Sequence, residues 1–179
     1  MMFKKIIAHL FVFLLFFQIA HPAARAPQFT ESDLIVLGEK IYHIALTPEQ
    51  LAPNIILVGD PERVPFLAEQ CLVRPYRADV SHRGLRTITG VTKHGVPVSI
   101  VTSGMGTPSL EIVINELMAL NEIDLQARQR RAVPLHKHMN IIRLGTSGGL
   151  QESTRLGTPI ISAYAIGFDN TGLFYDDQV

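Results

Sequence analysis

Two arginines lie close to glycines in a pattern typical of anion binding. Arg63 follows Gly59 by four residues, and Arg143 stands two residues before Gly145 at the end of an otherwise apolar run. Glycine lets backbone N–H groups approach an anion, and a guanidinium holds phosphate oxygens in a fixed fork. Because both arginines accompany a glycine that ends an apolar run, phosphate binding is the most economical explanation of the pair.

Each arginine also has an ordinary explanation. A guanidinium cannot lose its charge, so burial of Arg143 at a strand end would require a carboxylate or a bound anion. A structural salt bridge, or an edge strand with Arg143 in water, is the alternative. Arg63 falls in the first turn of a predicted helix, where a cation opposes the helix dipole unless an anion is bound there. A solvated Arg63 is the alternative.

A third apolar run ends at Gly104, which is followed by Gly106. The third glycine of a dinucleotide-binding loop is missing, and so is the lysine of a P-loop, so both kinds of site are rejected. Ligands of α/β sheets bind beyond the carboxyl ends of the strands. We therefore expect phosphate beyond the three glycine-ended strands.

The elements that must position these residues follow an α/β order. Strands are predicted at 54–58, 86–91, 96–101, 140–144 and 158–163, the first and fourth of them buried. Asp60-Pro61 predicts a helix start, and Val64, Leu67, Ala68 and Cys71 form its buried stripe. A second helix is predicted at 108–120. Residues 121–139, which include Arg128, Arg130 and Arg131, are predicted to be a helix tail and a solvated surface loop. Alternating strands and helices indicate an α/β layer fold.

Composition excludes several classes of function. Lys+Arg and Asp+Glu balance at 16 each, so no overall charge favours nucleic acid as a partner. Cys71 is the single cysteine, which excludes an internal disulfide and a thiolate metal cluster, and no convincing metal site is found.

The first 26 residues differ in kind from the rest. Lys4 and Lys5 precede an apolar run at 6–20, and Ala24-Arg25-Ala26 has the pattern of a signal cleavage site. A mis-assigned start codon ahead of a cytoplasmic protein is the alternative. We therefore divide the chain into a signal-like or extended segment, 1–30, and one domain, 31–179, and leave export and a cytoplasmic location both open.

Five ordered segments resemble the motifs of the nucleoside phosphorylase family, and in particular its uridine phosphorylase branch. These segments are Tyr42-His43-Ile44, 58–64, Ser81-His82-Arg83, 103–109 and 142–149. The G-D-P-x-R and R-x-G-T-S-G elements are specific when they occur together, and order and spacing match from about residue 33 onward. The resemblance implies an α/β/α sandwich with a mixed central sheet, of which this chain carries the N-terminal part and is C-terminally incomplete.

The resemblance also implies roles for individual residues. The family positions that match Gly59, Arg63, Arg143 and Thr146 bind phosphate, and that of Thr146 also contacts ribose. The position of Arg83 reaches the phosphate of a neighbouring subunit and that of His43 its ribose, so a homo-oligomer built from dimers with shared sites is implied. His43 and His82 as ordinary solvated or core histidines remain alternatives. Thr107 stands where relatives often have glycine.

The implied reaction is phosphorolysis of a nucleoside to free base and ribose 1-phosphate, the pentosyl transfer of nucleoside catabolism and salvage. Phosphate is the co-substrate, and no metal or organic cofactor is implied. The family's catalytic ribose and base contacts are expected beyond Val179, so the nucleobase stays open and we expect no useful turnover from this chain alone. The alternatives are a non-catalytic phosphate- or nucleoside-binding relic and a nucleosidase, which the retained arginines disfavour.

Overall fold

The structure is a computed structural model that describes residues 28–174. Its strands are β1 (Val36–Leu37), β2 (Lys40–Ile41), β3 (Asn54–Val58), β4 (Leu72–His82), β5 (Leu85–Thr92), β6 (Pro97–Thr102), β7 (Ile123–Asp124), β8 (Gln129–Arg130) and β9 (Asn140–Arg143). Its helices are α1 (Arg63–Cys71) and α2 (Thr107–Glu122), with short 3-10 turns at Pro48–Gln50 and Thr171–Phe174. No helix in this part of the chain is long and apolar enough to span a bilayer.

The central sheet is mixed, with the strand order β4-β5-β6-β3-β9. β3 pairs in parallel with β6 on one side and with β9 on the other, whereas β5 pairs antiparallel with both β4 and β6. The three predicted glycine-ended strands are therefore neighbours that run in the same direction. Their carboxyl ends meet at one edge of the sheet.

The two helices cover opposite faces of this sheet, because the side chains of β3 alternate between the faces. Ile55 and Leu57 belong to the apolar cluster that contains the buried face of α2. Val58, with Ile56 packed against it, belongs to the cluster under α1. The predicted α/β/α sandwich with a mixed sheet is confirmed.

The strand at 140–144 forms, but the prediction that it is buried is wrong. β9 pairs with β3 alone in the described residues, so its other edge is open, and Ile142 and Leu144 are 65% and 49% exposed. Arg143 is exposed as well, as in the alternative of an edge strand with Arg143 in water. The predicted strand at 158–163 does not form, because this extended and exposed segment has no strand to pair with among residues 28–174.

Helix α1 differs from its prediction at both ends. It begins at Arg63, with Glu62 at the N-cap position, while Asp60 accepts a hydrogen bond from the Glu62 backbone N at 3.0 Å in the preceding turn. At the other end Cys71 is exposed, so its predicted burial is wrong. The helix ends there, and the next residue, Leu72, takes the place in the core.

The sequence analysis missed β4 altogether. This strand lies at the sheet edge opposite β9 and contains Pro75, a residue that weakens a strand prediction but is tolerated on an edge. Residues 121–139 are also more ordered than predicted, since β7 and β8 form a short hairpin. Arg128 is not simply solvated, because its guanidinium donates to the carbonyl oxygens of Thr30 and Leu34. The signal-like segment 1–26 lies outside the described residues.

Candidate functional site

The candidate site lies where β3, β6 and β9 end. Beyond the strands themselves, the Ser103 backbone N donates to the Val58 carbonyl at 2.7 Å, and the Leu144 N donates to the Leu57 carbonyl at 2.8 Å. These bonds continue the pairing of β3 with β6 and with β9 for one residue beyond the strand ends. The structure therefore brings the 59, 104 and 145 loops together, as ligand binding at a parallel sheet requires.

Arg143 lies between two of these loops. One terminal nitrogen of its guanidinium is 2.9 Å from the point where a Cβ on Gly145 would stand, and the other is 3.9 Å from the equivalent point on Gly59. A side chain at 145 would therefore force the guanidinium to move. Within residues 28–174 the Arg143 side chain has neither an ion pair nor a hydrogen bond, so its charge faces the loops and solvent.

The third loop is shaped by glycine for steric reasons. Gly104 has φ +68°, and a Cβ there would stand 2.2 Å from Ser109 Oγ, whose hydroxyl donates to the Ser103 carbonyl at 2.8 Å. Gly106, at φ +81°, is the N-cap of α2. Any larger residue at 104 would displace the start of the helix.

Thr107, where relatives often have glycine, is the first residue of α2. Its hydroxyl donates a hydrogen bond to the Asp169 carboxylate, which lies on the exposed segment after β9. This bond, followed by bonds from Thr171, lowers the pKa of Asp169 below its usual value. The threonine therefore links the glycine loop to a later part of the chain.

Arg63 and Thr146 are the remaining members of the set of residues predicted to bind phosphate. Arg63 is the half-buried first residue of α1, four residues after Gly59, and no partner for its side chain is found in the described part of the chain. Thr146 is exposed in the loop that follows β9. We call Gly59, Arg63, Arg143 and Thr146 the phosphate loops.

The remaining two predicted residues, His43 and Arg83, lie in a different cluster. Arg83 and Gly84 form the tight turn between β4 and β5, with φ +52° and +78°, as a two-residue hairpin turn requires. The Arg83 guanidinium donates to the Tyr42 hydroxyl at 3.1 Å and lies 5.2 Å from the centre of the Tyr42 ring. The His82 Nδ1 donates to the His43 carbonyl at 3.1 Å.

Glu116 on α2 holds His43 in place. Its carboxylate accepts hydrogen bonds from His43 Nδ1 at 2.7 Å and from the backbone N of both His43 and Ile44 at 2.9 Å. The Glu116 side chain is 12% exposed and that of His43 is 30% exposed. With Nδ1 donating to Glu116, the ring keeps Nε2 for another partner. We call Tyr42, His43, His82, Arg83 and Glu116 the histidine cluster.

A sequence model of the phosphorylase superfamily matches residues 53–178, more than half of the chain. The chain belongs to the phosphorylase superfamily. The matched range contains the phosphate loops, Arg83 and Glu116. The family resemblance stated from the sequence motifs is thereby confirmed.

Individual superfamily members agree with this assignment. The chain is 35% identical over 134 residues to a uridine phosphorylase of Thermococcus kodakarensis and 36% identical over 114 residues to a DeoD-type purine nucleoside phosphorylase of Clostridium perfringens. These alignments cover 75% and 64% of this chain but 42% and 41% of the relatives. The chain thus spans less than half the length of these two curated relatives.

A solved structure of a superfamily member has the same fold. It is a Trypanosoma brucei nucleoside phosphorylase described as showing uridine phosphorylase activity, and it matches with a TM-score of 0.66 and 37% sequence identity. The match covers 80% of this chain and 47% of that protein. The mixed sheet with helices on both faces is therefore shared across species.

The sequence analysis did not predict that Glu116 and Tyr42 belong to the histidine cluster. Glu116 lies three residues before Ala119 on an amphipathic helix, where a carboxylate has no sequence signal of its own. Among residues 28–174 there is no group of three or more His, Cys, Asp or Glu side chains arranged to hold a metal.

Proposed function

We propose that this chain carries the phosphate-binding half of a nucleoside phosphorylase site, with uridine as the nucleoside. One observation carries the proposal: the Arg143 guanidinium lies between the Gly59 and Gly145 loops without an anionic partner among the described residues. A bound phosphate supplies that partner. Its oxygens are then within reach of backbone N–H groups that glycine leaves uncovered.

Arg63 adds a second cation on the same side of the sheet. It begins α1 directly after the Gly59 loop, so its charge and the positive end of the helix act on the same volume. Two arginines that approach phosphate from different elements, one from a helix and one from a strand, fix its orientation as well as its position. This orientation is what a nucleophile requires.

The chemistry follows from that positioning. One phosphate oxygen forms a bond to the anomeric carbon of the nucleoside while the bond from that carbon to the base breaks, and the base leaves with the bonding electrons. The sugar passes through an oxocarbenium-like state, so the adjacent phosphate both stabilises the developing positive charge and attacks it. In this proposal phosphate is the co-substrate, and neither a metal nor an organic cofactor takes part.

The histidine cluster is proposed to serve the site of a second subunit. Its internal hydrogen bonds hold His43 and Arg83 near each other and apart from the phosphate loops, and no hydrogen bond or ion pair joins the two groups in the described residues. A dimer that places the cluster of one subunit beside the phosphate loops of the other would unite all six predicted residues.

The choice of uridine is supported by the resemblance of the sequence motifs to the uridine phosphorylase branch and by the T. brucei structure with uridine phosphorylase activity, which matches at 37% identity. No residue among 28–174 is assigned a role in recognising the base.

The first test is phosphate binding by the purified 179-residue chain, measured by isothermal titration calorimetry. We expect Arg63→Ala and Arg143→Ala each to weaken binding at least about tenfold, because each removes a charge-assisted contact worth roughly 1.5–3 kcal/mol. Arg74→Ala is the matched control, since Arg74 lies on β4 at the opposite edge of the sheet. Equal phosphate affinity in all four proteins would refute the assignment.

The companion assay is phosphate-dependent release of base from uridine, thymidine and inosine. Arg143 and Thr146 are exposed in this chain, and water around a bound phosphate weakens its electrostatic interactions. We therefore expect little turnover despite phosphate binding. Robust turnover that Arg143→Ala abolishes would confirm phosphorolysis and show that the ribose and base contacts lie within this chain.

A further inference from the structure

A cavity lined by several basic side chains lies at the other end of β9. This cavity of about 570 Å³ is formed by the last turns of α2, the end of β8, the loop from residue 132 to 139 and the first residues of β9. Arg143 is three residues further along β9, about 10 Å away at the rise of a strand. The cavity and the phosphate loops thus lie at opposite ends of the same strand, and we call the cavity the basic pocket.

The charge of the basic pocket is unusual in a chain with no net charge. Residues 125–151 contain five arginines and lysines and no aspartate or glutamate. Three of these cations, Arg130, Arg131 and Lys137, line the cavity together with His136 and His138. The one acidic residue in its wall, Glu122, is already paired with Arg130 at 2.8 Å.

Two of the side chains that line the cavity have no partner in the described residues. Lys137 and His138 are exposed, and within the described part of the chain neither has a hydrogen bond or an ion pair. Arg131 donates through Nε to the Ile123 carbonyl, and its charge also interacts with Asp124 and helps to lower the pKa of that carboxyl. Its terminal nitrogens make no hydrogen bond within the described residues, so an anion in the cavity would meet both Arg131 and Lys137.

Partly buried hydrogen bonds fix the loop that forms the pocket. Asn121, which is 4% exposed, accepts from the His136 backbone N at 2.8 Å and donates to the His136 carbonyl at 3.3 Å. The Leu135 N donates to the Asn121 carbonyl, and the His136 Nε2 donates to the Leu51 carbonyl at 3.2 Å. A loop tied to the core at these points has a defined shape, as a binding site requires.

The apolar residues that line the cavity indicate the class of ligand. Met118, Met139, Pro134 and Ile141 contribute an apolar surface beside the cations. Thioether groups make favourable contacts with aromatic rings, and a cavity of this volume is in the range of sites for small organic ligands. Inorganic phosphate alone would leave the apolar wall uncovered.

We propose that the basic pocket binds a nucleoside monophosphate, with the phosphate on Arg131 and Lys137 and the base against the methionines. Long RNA is the less suitable partner, since the cations surround a cavity instead of forming an extended stripe. The proposal does not depend on the phosphate loops, because the two sites share no residue.

Calorimetric titration of the 179-residue chain with AMP and with UMP tests the proposal. We expect Lys137→Ala/His138→Ala to weaken binding at least about tenfold, because a charge-assisted contact is lost. The chain offers a closely matched control: Lys93→Ala/His94→Ala removes the same two residue types from the exposed turn between β5 and β6. This control should bind as the unmodified chain does.

Each of the following results would overturn the proposal. These are no binding of either nucleotide, equal binding by the Lys137/His138 variant, loss of binding in Arg143→Ala, and a single-stranded RNA 10-mer that binds far more tightly than AMP with a steep dependence on salt. The third result would place the nucleotide in the phosphate loops, and the fourth would show an extended nucleic-acid surface. Inorganic phosphate that binds as tightly as AMP and depends on Lys137 would likewise exclude a contribution from the base.

Discussion

The phosphate loops and the histidine cluster both contain arginine, but their charged side chains are in opposite states. In the phosphate loops, Arg63 and Arg143 have no internal partner among the described residues. In the histidine cluster, Arg83 donates to Tyr42, and His43 donates to Glu116. One region therefore has charge available for an external anion, whereas the other uses its charges and hydrogen bonds to hold its own shape.

Because of this difference, substitutions in the phosphate loops should affect anion binding, and substitutions in the histidine cluster should affect stability. Removing an unpartnered arginine from the phosphate loops takes away affinity for an anion but no intramolecular bond. Removing a partner from the histidine cluster leaves a donor without an acceptor, and an unsatisfied donor costs more than a hydrogen bond contributes. Matched substitutions in the two regions should consequently move different measurements.

The largest effect on stability is expected from Glu116→Ala. The substitution leaves the backbone N–H groups of His43 and Ile44 and the His43 ring without their acceptor in a partly buried position. We expect the free energy of unfolding to fall by about 1–3 kcal/mol. Urea denaturation followed by circular dichroism measures this change.

Two controls make that result specific. Glu69→Ala removes a carboxylate that is 61% exposed and lies 3.4 Å from Arg74, so its effect should stay within about 0.5 kcal/mol. Arg143→Ala should also leave the unfolding free energy nearly unchanged. If Arg143→Ala destabilised the chain as much as Glu116→Ala, the distinction between the two regions would be wrong.

A smaller effect, this time on binding, is expected from Gly145→Ala. The new Cβ would stand 2.9 Å from the Arg143 guanidinium, which must then move away from the Gly145 loop. Since the end of an arginine is flexible, we expect phosphate affinity to fall by only about threefold, less than for loss of the whole contact. Gly148→Ala is the control, because a Cβ there meets nothing within 4 Å. Equal affinities in both variants would show that the guanidinium position does not matter.

The sequence predicted the phosphate loops better than the histidine cluster, for a physical reason. Gly59 and Arg143 are encoded at the ends of apolar runs that can be read directly from the sequence, and the parallel pairing of β3 with β9 then brings the strand ends together. The cluster depends on the contact between His43 and Glu116, which are 73 residues apart. No local pattern records that contact, so Glu116 was missed although its helix was predicted.

The errors at β9 and after it have a related cause. Apolar runs at 140–144 and 158–163 satisfy the pattern of buried strands, but burial requires neighbours as well as composition. β9 has one pairing partner in the described residues, and the second run has none, so Ile142 and Ile161 are exposed. Local sequence states which residues are suited to a strand, while the rest of the sheet decides whether they are covered.

The smallest expected effect tests whether the ring or the hydroxyl of Tyr42 holds Arg83. Tyr42→Phe removes the hydroxyl that accepts from Arg83 at 3.1 Å but keeps the ring, 5.2 Å from the guanidinium carbon. Arg83 is exposed and water can replace the lost acceptor, so we expect a loss of only a few tenths of a kcal/mol in unfolding free energy. Tyr42→Leu removes the ring as well, including its contacts with His43 and His82, and should cost about 0.5–1 kcal/mol more. Urea denaturation of the two variants in parallel separates the contributions. Equal losses would assign the stabilisation to the hydroxyl, and the turn at Arg83 would then owe nothing to the cation–π contact.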